Sequence, residues 1–496
     1  MNPIDRSSPV PIYHQLKALI QEQIRCGLWR PGDRILTERE LCQTYAISRS
    51  PVRQALSELA HEGVLVRRPG LGTFVADHGS VETCPETSIQ MMCSDPHWSA
   101  VLEHVSSVWN AELPGQGIAF EVNVVAHDEF YHLLSTAVGG GRAPDLAMVD
   151  SVWVAGLAKS GFLYALEDLD SPWRRSEFGQ DLPAVFVDAN SLDERLYGLP
   201  VKADASLLWY RKDWFAQESL TPPADWDDLL DVAAHFLQPQ VQERYGLVHP
   251  LAFPGGTAGG EATVYNLMPT VWSAGGDIFD AEMRYVTLDA PAARRALRFL
   301  RDLAHRYRVS SPGAVDYGHD TSARLFAEGK VAMAFGGSYE AEMIRNATRW
   351  SNEEFSQRVG AAPPPAAPGQ EPVSTVGGTS YVILRQCERP AVVVDVLKLA
   401  TDPAVIGDLY RSTRQNLPNP SFNAVQGARA DPLLARVSDM IASGRARPSI
   451  PEYVKVSRQL QRMFEAAIFG GEPVDDIVSR TARFIGVVAE LPCRSA

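Results

Sequence analysis

The chain has 496 residues, of which 45% are hydrophobic and 21% charged, and its formal net charge at pH 7 is −14. This length exceeds one hydrophobic core and predicts about two to four folded units. Because no apolar run approaches the roughly 18 residues of a membrane-spanning helix and the N-terminal stretch lacks a secretory signal, we expect a cytoplasmic protein without membrane contact.

The front of the chain predicts short helices joined by tight turns. Apolar residues between Ile12 and Ile24 recur at helical spacing, which indicates an amphipathic first helix. Thr37 and Glu40 have the spacing of a capping box and predict the start of a second helix. Ser48 is the candidate N-cap of a third helix.

The segment that follows predicts a β-wing beside a basic helix. Residues 64–76, VLVRRPGLGTFVA, indicate two short strands joined at glycines. In a winged helix-turn-helix, the first turn of the third helix enters the major groove. Arg49 and Arg53 lie one helical turn apart in that position, with Ser50 and Gln54 beside them. The alternative, a solvated basic face without a partner, is less consistent with the wing glycines.

Charge is divided unequally along the chain. Residues 1–77 carry ten Lys and Arg against eight Asp and Glu, a net charge of +2, whereas the remainder carries 36 against 52, a net charge of −16. An acidic surface repels phosphate, while a nearly neutral one binds it if its basic groups lie on one face. Any contact with DNA is therefore predicted in residues 1–77.

Residues 11–76 resemble the DNA-binding domain of the GntR family of bacterial transcription regulators. The resemblance lies in PGDRILTERELC, SRSPVRQALSELAHEG and GLGTFV, together with Tyr13 in the first helix. It implies that the module binds double-stranded operator DNA, and two-fold half-sites lead us to expect a homodimer. The residues that the resemblance places on DNA are Arg39, Ser48, Arg49, Ser50, Arg53 and Gly70.

A polar, turn-rich linker is predicted at 78–88, and an α/β domain at 89–496. Strand-like and helix-like segments alternate there, and the length predicts two lobes. The strand-like segments are 120–125, 145–150, 196–201, 206–210, 331–337 and 380–384, and the clearest helices are 97–109, 292–307 and 390–402.

Carboxylates and aromatic residues follow several of these strands, where ligands of open α/β sheets bind. Carboxylates accept hydrogen bonds from vicinal hydroxyls, and aromatic rings stack on pyranose faces. Such a set suits an uncharged polyhydroxylated ligand, although the same residue types also serve as packing aromatics and helix caps. Four predicted loops carry the candidates: Asp150, Ser151 and Trp153 in the first, Asp204 in the second, Tyr265 and Asn266 before the turn at 272–277 in the third, and Gly336, Gly337 and Tyr339 in the fourth.

From about residue 89 to 491 the chain resembles a family 1 extracellular solute-binding protein, the receptor type of sugar ABC importers that includes maltose-binding protein. The matching segments are Gly139–Leu169, Glu194–Phe215, Pro222–Ala233, Trp272–Asp280, Leu325–Glu340 and Val376–Leu384. The resemblance implies a two-lobed, type II periplasmic-binding-protein-like fold. The sugar contacts it implies are Ser94, His97, Asp150, Trp153, Asp204, Tyr265, Tyr339 and Gly378. Tyr339 stands where relatives often have tryptophan, which leaves the particular solute open.

The two resemblances imply a regulator that senses an imported carbohydrate and changes its operator binding, with the sign open. One alternative is a non-sugar solute, such as a polyol phosphate or an amino compound. A fused pyridoxal-phosphate aminotransferase would need a Schiff-base lysine, and no lysine of the large domain follows the serine that usually marks one. A glycosidase could use Asp150 and Asp204, but paired carboxylates serve hydroxyl recognition equally well. We therefore expect no enzyme activity and no cofactor. The six cysteines include no CxxC pair, which favours reduced thiols over a disulfide framework or a zinc site, so we expect no metal.

Overall fold

A computed structural model of the protein describes residues 4, 12–25, 28–30, 32–61, 64–68, 72–76, 87–95, 98–113, 117–169, 181–402, 405, 415–425 and 431–494. The chain divides into two compact units. Unit 1 comprises Met1–Met148, Leu157–Asp170 and Val382–Ala400, and unit 2 comprises Val149–Gly156, Ser171–Tyr381 and Thr401–Ala496. The chain therefore passes between the units several times, and neither is one continuous stretch.

The front of unit 1 has the predicted helix-turn-helix and wing. Its elements are α1 (Ile12–Arg25), α2 (Glu38–Tyr45), α3 (Arg49–His61), β1 (Leu65–Arg68) and β2 (Gly72–Val75). Strands β1 and β2 are antiparallel, with Leu65 opposite Val75 and Arg68 opposite Gly72. The loop between these strands lies outside the described residues.

Local chemistry explains where α2 begins and ends. The Thr37 side chain accepts a hydrogen bond from the Glu40 backbone, and the Glu40 carboxylate accepts one from the Thr37 backbone, which confirms the capping box. Ala46 ends the helix in the left-handed region at φ 54°. The apolar sides of the helices meet in one core that includes Leu16, Ile20, Leu41, Val52, Leu56 and Leu59.

Parallel strands and helices follow, in unit 1 except for Val149–Gly156, which belongs to unit 2. The elements are β3 (Thr87–Cys93), α4 (Trp98–Glu112), β4 (Ile118–Val124), α5 (His127–Gly139), β5 (Leu146–Asp150), α6 (Ser151–Lys159) and α7 (Leu166–Leu169). Strand β3 pairs in parallel with β4 and with β5. Thr87 and Ser88, predicted as the end of the linker, belong to β3, and residues 78–86 lie outside the described part. The domain boundaries at 77 and 89 stay predictions.

The next elements of the chain are mostly in unit 2. In chain order they are α8 (Ala184–Ala189), β6 (Ser191–Leu192), β7 (Arg195–Leu196), β8 (Gly198–Pro200), β9 (Asp204–Arg211), α9 (Lys212–Gln217), α10 (Trp226–Phe236), α11 (Pro239–Tyr245), β10 (Leu251–Ala252), α12 (Glu261–Ser273), α13 (Pro291–His305), α14 (Thr321–Ala327) and β11 (Met333–Gly337). Short 3-10 turns lie at Thr257–Gly259, Pro312–Asp316 and Ser338–Glu340.

The last elements complete unit 2 and return once to unit 1. They are α15 (Ala341–Thr348), α16 (Asn352–Arg358), β12 (Val359–Ala362), β13 (Thr375–Gly377), β14 (Thr379–Ile383), α17 (Pro390–Ala400), α18 (Pro420–Val425), α19 (Pro432–Ser443), β15 (Arg445–Ala446), α20 (Tyr453–Phe469) and α21 (Val474–Ala489). Helix α17 belongs to unit 1. No helix within the described ranges is both long and apolar enough to cross a membrane.

The main sheet of unit 2 has the order β10-β11-β9-β13-β15, and β12 also pairs with β9. Strand β9 runs antiparallel to β11, β12 and β13. Asp204 therefore lies opposite Gly377 at the end of β13, and Ser206 lies opposite Gly337 at the end of β11. The start of β9 and the ends of its neighbours share one edge of the sheet.

Helix α12 crosses the core of unit 2. Every residue from Ala262 to Ser273 is buried, and the apolar residues pack in one cluster with those of α13, α20 and α21. Because the helix is enclosed on all sides, it has no amphipathic period. The positions Tyr265 and Asn266, predicted in a loop before a turn, lie in this helix, so that prediction was wrong.

Candidate functional sites

The outer side of α3 exposes a group of polar and basic side chains. Val52, Leu56 and Leu59 are buried on its inner side, and the opposite side projects to solvent. Arg49, Ser50 and Arg53 are exposed, as is Ser48 immediately before the helix. We call Ser48, Arg49, Ser50 and Arg53 the α3 face.

A surface ion pair joins the α3 face to α2. The Arg53 Nε donates to the Glu38 Oε2 at 3.0 Å, with 65% and 37% of the two side chains exposed. Exposed pairs of this kind contribute about 0–1 kcal/mol, so exchange of the carboxylate for a phosphate costs little. Arg39, also predicted on DNA, is exposed beside Glu38.

The wing adds basic groups that the sequence analysis did not single out. Arg67 and Arg68 are exposed on β1, and the Arg68 guanidinium lies 4.8 Å from the centroid of the Phe74 ring. Gly72 has φ 124°, and a Cβ there would lie 2.9 Å from the Arg34 Nε. Gly70, the predicted wing contact, lies outside the described residues.

In unit 2, two tyrosines meet at the shared edge of the main sheet. The ring centroids of Tyr265 and Tyr339 lie 5.9 Å apart with an interplanar angle of 59°. A Cβ on Gly337 would lie 3.1 Å from the Tyr265 Cε1 and would clash with the Tyr339 ring. Glycine is therefore needed at 337 for the rings to approach the backbone. We call Asp204, Tyr265, Gly337 and Tyr339 the strand-end cluster.

Asp204 supplies a buried carboxylate to the strand-end cluster. Its side chain accepts a hydrogen bond from the Ser338 Oγ at 3.4 Å, and that hydroxyl accepts one from the Ala205 N–H. Burial raises the pKa of the Tyr265 hydroxyl well above its usual 10, and the charge of Asp204 raises it further. Tyr265 consequently keeps its proton and can donate to a bound group.

A buried ion network adjoins Tyr265. The Arg447 guanidinium donates to the Glu261 Oε1 at 2.6 Å and to the Asp150 Oδ1 at 3.2 Å, and its Cζ lies 5.1 Å from the centroid of the Tyr265 ring. Only 2% of the Arg447 side chain is exposed. We call Asp150, Glu261 and Arg447 the ion network.

Hydroxyl groups of α20 complete the environment of Glu261. The Tyr453 hydroxyl donates to the Glu261 Oε1 at 2.5 Å, and the Ser457 hydroxyl donates to the Glu261 Oε2. Burial raises the pKa of Glu261, while Arg447 acts in the opposite direction. Burial acts to lower the pKa of Arg447, but Asp150, Tyr453 and Glu261 raise it well above its usual value, so the cation persists.

Several buried polar atoms in this region have no hydrogen-bond partner among the described residues. They are the Tyr265 Oη, the Asn266 Oδ1, the Thr379 Oγ1 and the Arg447 Nε. Buried polar groups are normally hydrogen-bonded to protein, water or ligand. These atoms are consequently the ones available to a bound polar solute or to water.

A second buried carboxyl, that of Glu340, contacts the backbone of the strand-end cluster at Gly337. The Glu340 Oε2 accepts hydrogen bonds from the Trp209 Nε1 at 2.9 Å and from the Gly337 N–H at 3.2 Å. Burial raises the pKa of Glu340 to about 8, against the opposing effect of His319. Glu340 is therefore mainly a neutral acid near pH 7.

The other predicted solute contacts fall in different surroundings. Asp150 ends β5, and the next residue's N–H donates to the Gly378 carbonyl at 3.1 Å. Gly378 has φ 151°, and a Cβ there would clash with the Lys202 carbonyl. Trp153 is buried on α6. Ser94 follows β3 in unit 1, and His97 lies outside the described residues.

Four residues of this site were not predicted from the sequence: Arg447, Glu261, Tyr453 and Ser457. The only local signal is the spacing of Tyr453 and Ser457, which places both on one side of α20. Arg447 is 186 residues from Glu261 and 297 from Asp150, so no local pattern could join them. Within the described residues, no His, Cys, Asp and Glu group could hold a metal ion.

Two family models match the chain. The model described as "Bacterial extracellular solute-binding protein" matches residues 101–406, and the one described as "Bacterial regulatory proteins, gntR family" matches residues 12–75. These are families of binding proteins and regulators rather than of enzymes.

Individual relatives agree with each part. A binding protein of Brucella abortus (strain 2308) is 28% identical over 285 residues, which are 57% of this chain and 64% of that protein. The match thus spans less than two thirds of that relative. The histidine utilization repressor of Klebsiella aerogenes is 50% identical over 72 residues, 14% of this chain and 30% of that protein.

A solved structure shows the fold of the larger part. An ABC transporter solute-binding protein from Thermotoga lettingae, bound with α-D-tagatose, has a TM-score of 0.72 and 24% identity, covering 82% of this chain and 100% of that chain. This likeness confirms the predicted fold class, a solute-binding-protein-like α/β fold behind a winged helix.

Proposed function

Since the chain belongs to the bacterial extracellular solute-binding protein family and carries a GntR-family DNA-binding domain at its front, we propose that it is a cytoplasmic transcription regulator controlled by a small solute. Binding of the solute in the larger domain changes the affinity of the front domain for operator DNA. The observation that carries the proposal is the presence, in one chain, of the exposed α3 face and the buried, incompletely hydrogen-bonded strand-end cluster.

The chemistry of the strand-end cluster favours an uncharged carbohydrate. Tyrosine rings offer flat surfaces to the C–H faces of a sugar, and the Asp204 carboxylate accepts hydrogen bonds from hydroxyls. Arg447 is neutralised by Glu261 and Asp150, so the ion network offers little attraction to a phosphate or a carboxylate. The sugar bound to the Thermotoga lettingae protein supports the same class.

Regulation requires that the two binding events be coupled. A coupling of ~1–3 kcal/mol, the usual range, changes duplex affinity about 5- to 150-fold, and the solute affinity changes by the same factor when DNA is bound. Two copies of the front domain on a two-fold operator place both α3 faces in successive major grooves. The protein therefore acts as a homodimer on DNA.

The test begins with thermal unfolding of the full chain against mono- and oligosaccharides, polyol phosphates and amino compounds. A solute present at about 100 times its dissociation constant adds about 2.7 kcal/mol to the stability. A duplex selected by the protein from a random library then reports DNA affinity with and without the stabilising compound. If only amino compounds stabilise the protein, the proposal of a carbohydrate ligand is wrong. If a stabilising compound leaves the duplex affinity unchanged, the proposal of a solute-controlled regulator is wrong.

A substitution in the strand-end cluster separates the two activities. Asp204→Ala removes a buried carboxylate and should weaken binding of the stabilising compound at least about 10-fold, with duplex affinity of the free protein unchanged. Asp302→Ala is the matched control, because the Asp302 side chain forms a surface pair with Arg306 at 3.8 Å. Equal effects of the two variants on solute binding would contradict the assignment of the site.

A further inference from the structure

A side-chain hydrogen bond links helix α1 of the DNA-binding domain to helix α5 of the solute-binding fold within unit 1. The Tyr13 hydroxyl donates to the Gly140 carbonyl at 2.6 Å, across 127 residues of sequence. Gly140 caps the C-terminal end of α5. The last carbonyls of a helix lack intrahelical donors and carry partial negative charge, so the tyrosine satisfies an acceptor that the helix itself leaves open.

The segment that accepts the hydrogen bond from Tyr13 is short, and hydrogen bonds hold its two ends together. Residues 139–142 read GGGR, and Gly141 has φ 68°, in the left-handed region. Gln386, a buried residue, bridges the two ends of this segment: its Nε2 donates to the Val138 carbonyl at 2.7 Å, and its Oε1 accepts from the Ala143 N–H at 3.0 Å. Gly140, the acceptor of the Tyr13 hydrogen bond, therefore lies in a short segment whose two ends one side chain holds together.

The same segment leads directly into the ion network. Strand β5 begins at Leu146, three residues after Ala143, and ends at Asp150, which binds Arg447. Leu146 pairs with Met91 of the neighbouring strand β3. Because an extended strand has little slack along its axis, β5 joins Asp150 to the glycine segment by a taut backbone connection.

On the other side, Tyr13 is tied to the helix that carries the α3 face. Lys17, one turn further along α1, has its Nζ 3.8 Å from the Glu58 Oε2 of α3. Leu16 and Ile20 of α1 pack in the same core as Leu56 of α3. Helices α1 and α3 are consequently joined by a shared core and an ion pair, with Arg49 and Arg53 on the outer side of α3.

We propose that Tyr13 is a positioning residue for regulation, because its hydrogen bond to Gly140 transmits the state of the ion network through β5 to the α3 face. The proposal rests on the proposed function, in which solute and DNA binding are coupled. It assigns that coupling to one hydrogen bond, the one that the Tyr13 hydroxyl donates to the Gly140 carbonyl.

The first measurement needs no solute. Tyr13→Phe removes the hydroxyl and keeps the ring, and amide hydrogen exchange of the full chain should become faster at residues 140–142, whose N–H groups bond to carbonyls of α5. Tyr164→Phe in the same unit is the matched control, because the Tyr164 ring keeps its contact with Arg385 at 5.3 Å. Unchanged exchange at 140–142 in the Tyr13 variant would show that the contact is absent and would overturn the proposal.

The second measurement is the ratio of duplex affinities with and without a saturating mixture of D-tagatose, D-glucose and maltose. We expect Tyr13→Phe to bring the ratio about 2- to 10-fold closer to one than in the wild type, the effect of one neutral hydrogen bond, with sugar-induced stabilisation retained. Gln386→Met, which removes both bonds across the glycine segment, should also bring the ratio closer to one, and Tyr164→Phe should not.

The outcomes distinguish this inference from the function on which it rests. If both Tyr13→Phe and Gln386→Met keep the wild-type ratio of duplex affinities, the role of Tyr13 is wrong. The proposal that the protein is a solute-controlled regulator then still holds. A wild-type ratio of one in a protein that the sugars stabilise overturns the regulator, whereas the exchange at residues 140–142 decides the Tyr13 contact separately. If none of the sugars stabilises the protein, the carbohydrate class is contradicted and the exchange result still decides the contact.

Discussion

The protein uses arginine–carboxylate pairs in two opposite settings. In the DNA-binding domain, the Arg53–Glu38 pair leaves 65% and 37% of the side chains exposed, at an N–O distance of 3.0 Å. In unit 2, the Arg447–Glu261 pair leaves only 2% and 10% exposed, at 2.6 Å. The first can exchange its partner for a phosphate, whereas the second is a fixed part of the fold.

This contrast follows from the cost of removing charge from water. A surface ion pair contributes little because water solvates both partners in its absence. A buried pair brings no certain net stability, but removal of one partner leaves a charge that nothing solvates. Under the proposed function, the exposed arginine suits reversible recognition of DNA, and the buried one suits the positioning of side chains around a solute.

Removal of the buried arginine should have the largest effect. We expect Arg447→Ala to lower the free energy of unfolding by about 3–5 kcal/mol, because it leaves Asp150 and Glu261 without their shared cation. Denaturant unfolding of the full chain, followed by tryptophan fluorescence, measures the change. Arg480→Ala, which breaks the exposed pair with Glu472, is the control and should cost less than about 1 kcal/mol. Similar losses of unfolding free energy in both variants would mean that the buried and the exposed ion pairs do not differ in their effect on stability.

Glu340 gives the buried region of unit 2 a pH dependence. With a folded-state pKa of about 8 against an ordinary 4.5, the folded protein holds a proton that the unfolded chain releases between these values. The free energy of unfolding should therefore fall as pH rises from about 5 to 8, by a few kcal/mol in order of magnitude.

Glu340→Gln should remove this decrease of the unfolding free energy with rising pH. Unfolding midpoints measured at several pH values would show the change. Glu328→Gln, at an exposed pair with Arg324, is the control and should keep the wild-type slope. Because His319 and Asp320 also influence Glu340, the difference between the two variants is the informative quantity. A wild-type slope in the Glu340→Gln variant would place the titrating group elsewhere.

The exposed pair should matter for DNA and hardly for stability. Arg53→Ala should weaken binding of the selected duplex by about 1–3 kcal/mol, with the unfolding free energy changed by less than about 0.5 kcal/mol. Glu38→Ala is the converse variant, and it should keep or raise duplex affinity because Arg53 loses only a competing carboxylate. Gel retardation gives both values, and a strong loss in the Glu38 variant would contradict this assignment.

The smallest effect tests a local bond in the DNA-binding domain. Thr37→Ala removes the N-cap hydrogen bond to the Glu40 backbone and should lower the local stability of α2 by about 1 kcal/mol. Hydrogen exchange of residues 38–45 in the full chain measures this loss. Exchange in α20 should not change, since α20 belongs to unit 2; a change there would mean that the two regions unfold together.

The sequence predicted features whose causes are local. Thr37 and Glu40 are three residues apart, so their capping box could be recognised from spacing alone. The strands that end at Asp150 and Gly337 were predicted because short apolar segments before polar or glycine residues are typical of buried strands. The resemblances then supplied what spacing could not, the fold into which these strands are arranged.

Features that depend on distant contacts could not be predicted. Arg447 lies in a polar stretch without any pattern that connects it to Glu261 or Asp150, and only the folded chain brings them together. Tyr265 was identified as a candidate but placed in a loop, because a helix enclosed on all sides has no polar face to give it a period. The contact from Tyr13 to Gly140 is equally invisible in sequence.

The division of the chain between the two units has a consequence for the evolution of such proteins. The helix-turn-helix and wing occupy the continuous stretch 12–75, whereas later segments alternate between the units at 149–156, 157–170, 171–381, 382–400 and 401–496. Recombination at one point upstream of β3 can therefore replace the whole DNA-binding domain in a single event. A truncation inside 149–400 would instead leave both units incomplete, so lineages of such proteins should exchange operator specificity far more readily than they exchange halves of the solute receptor.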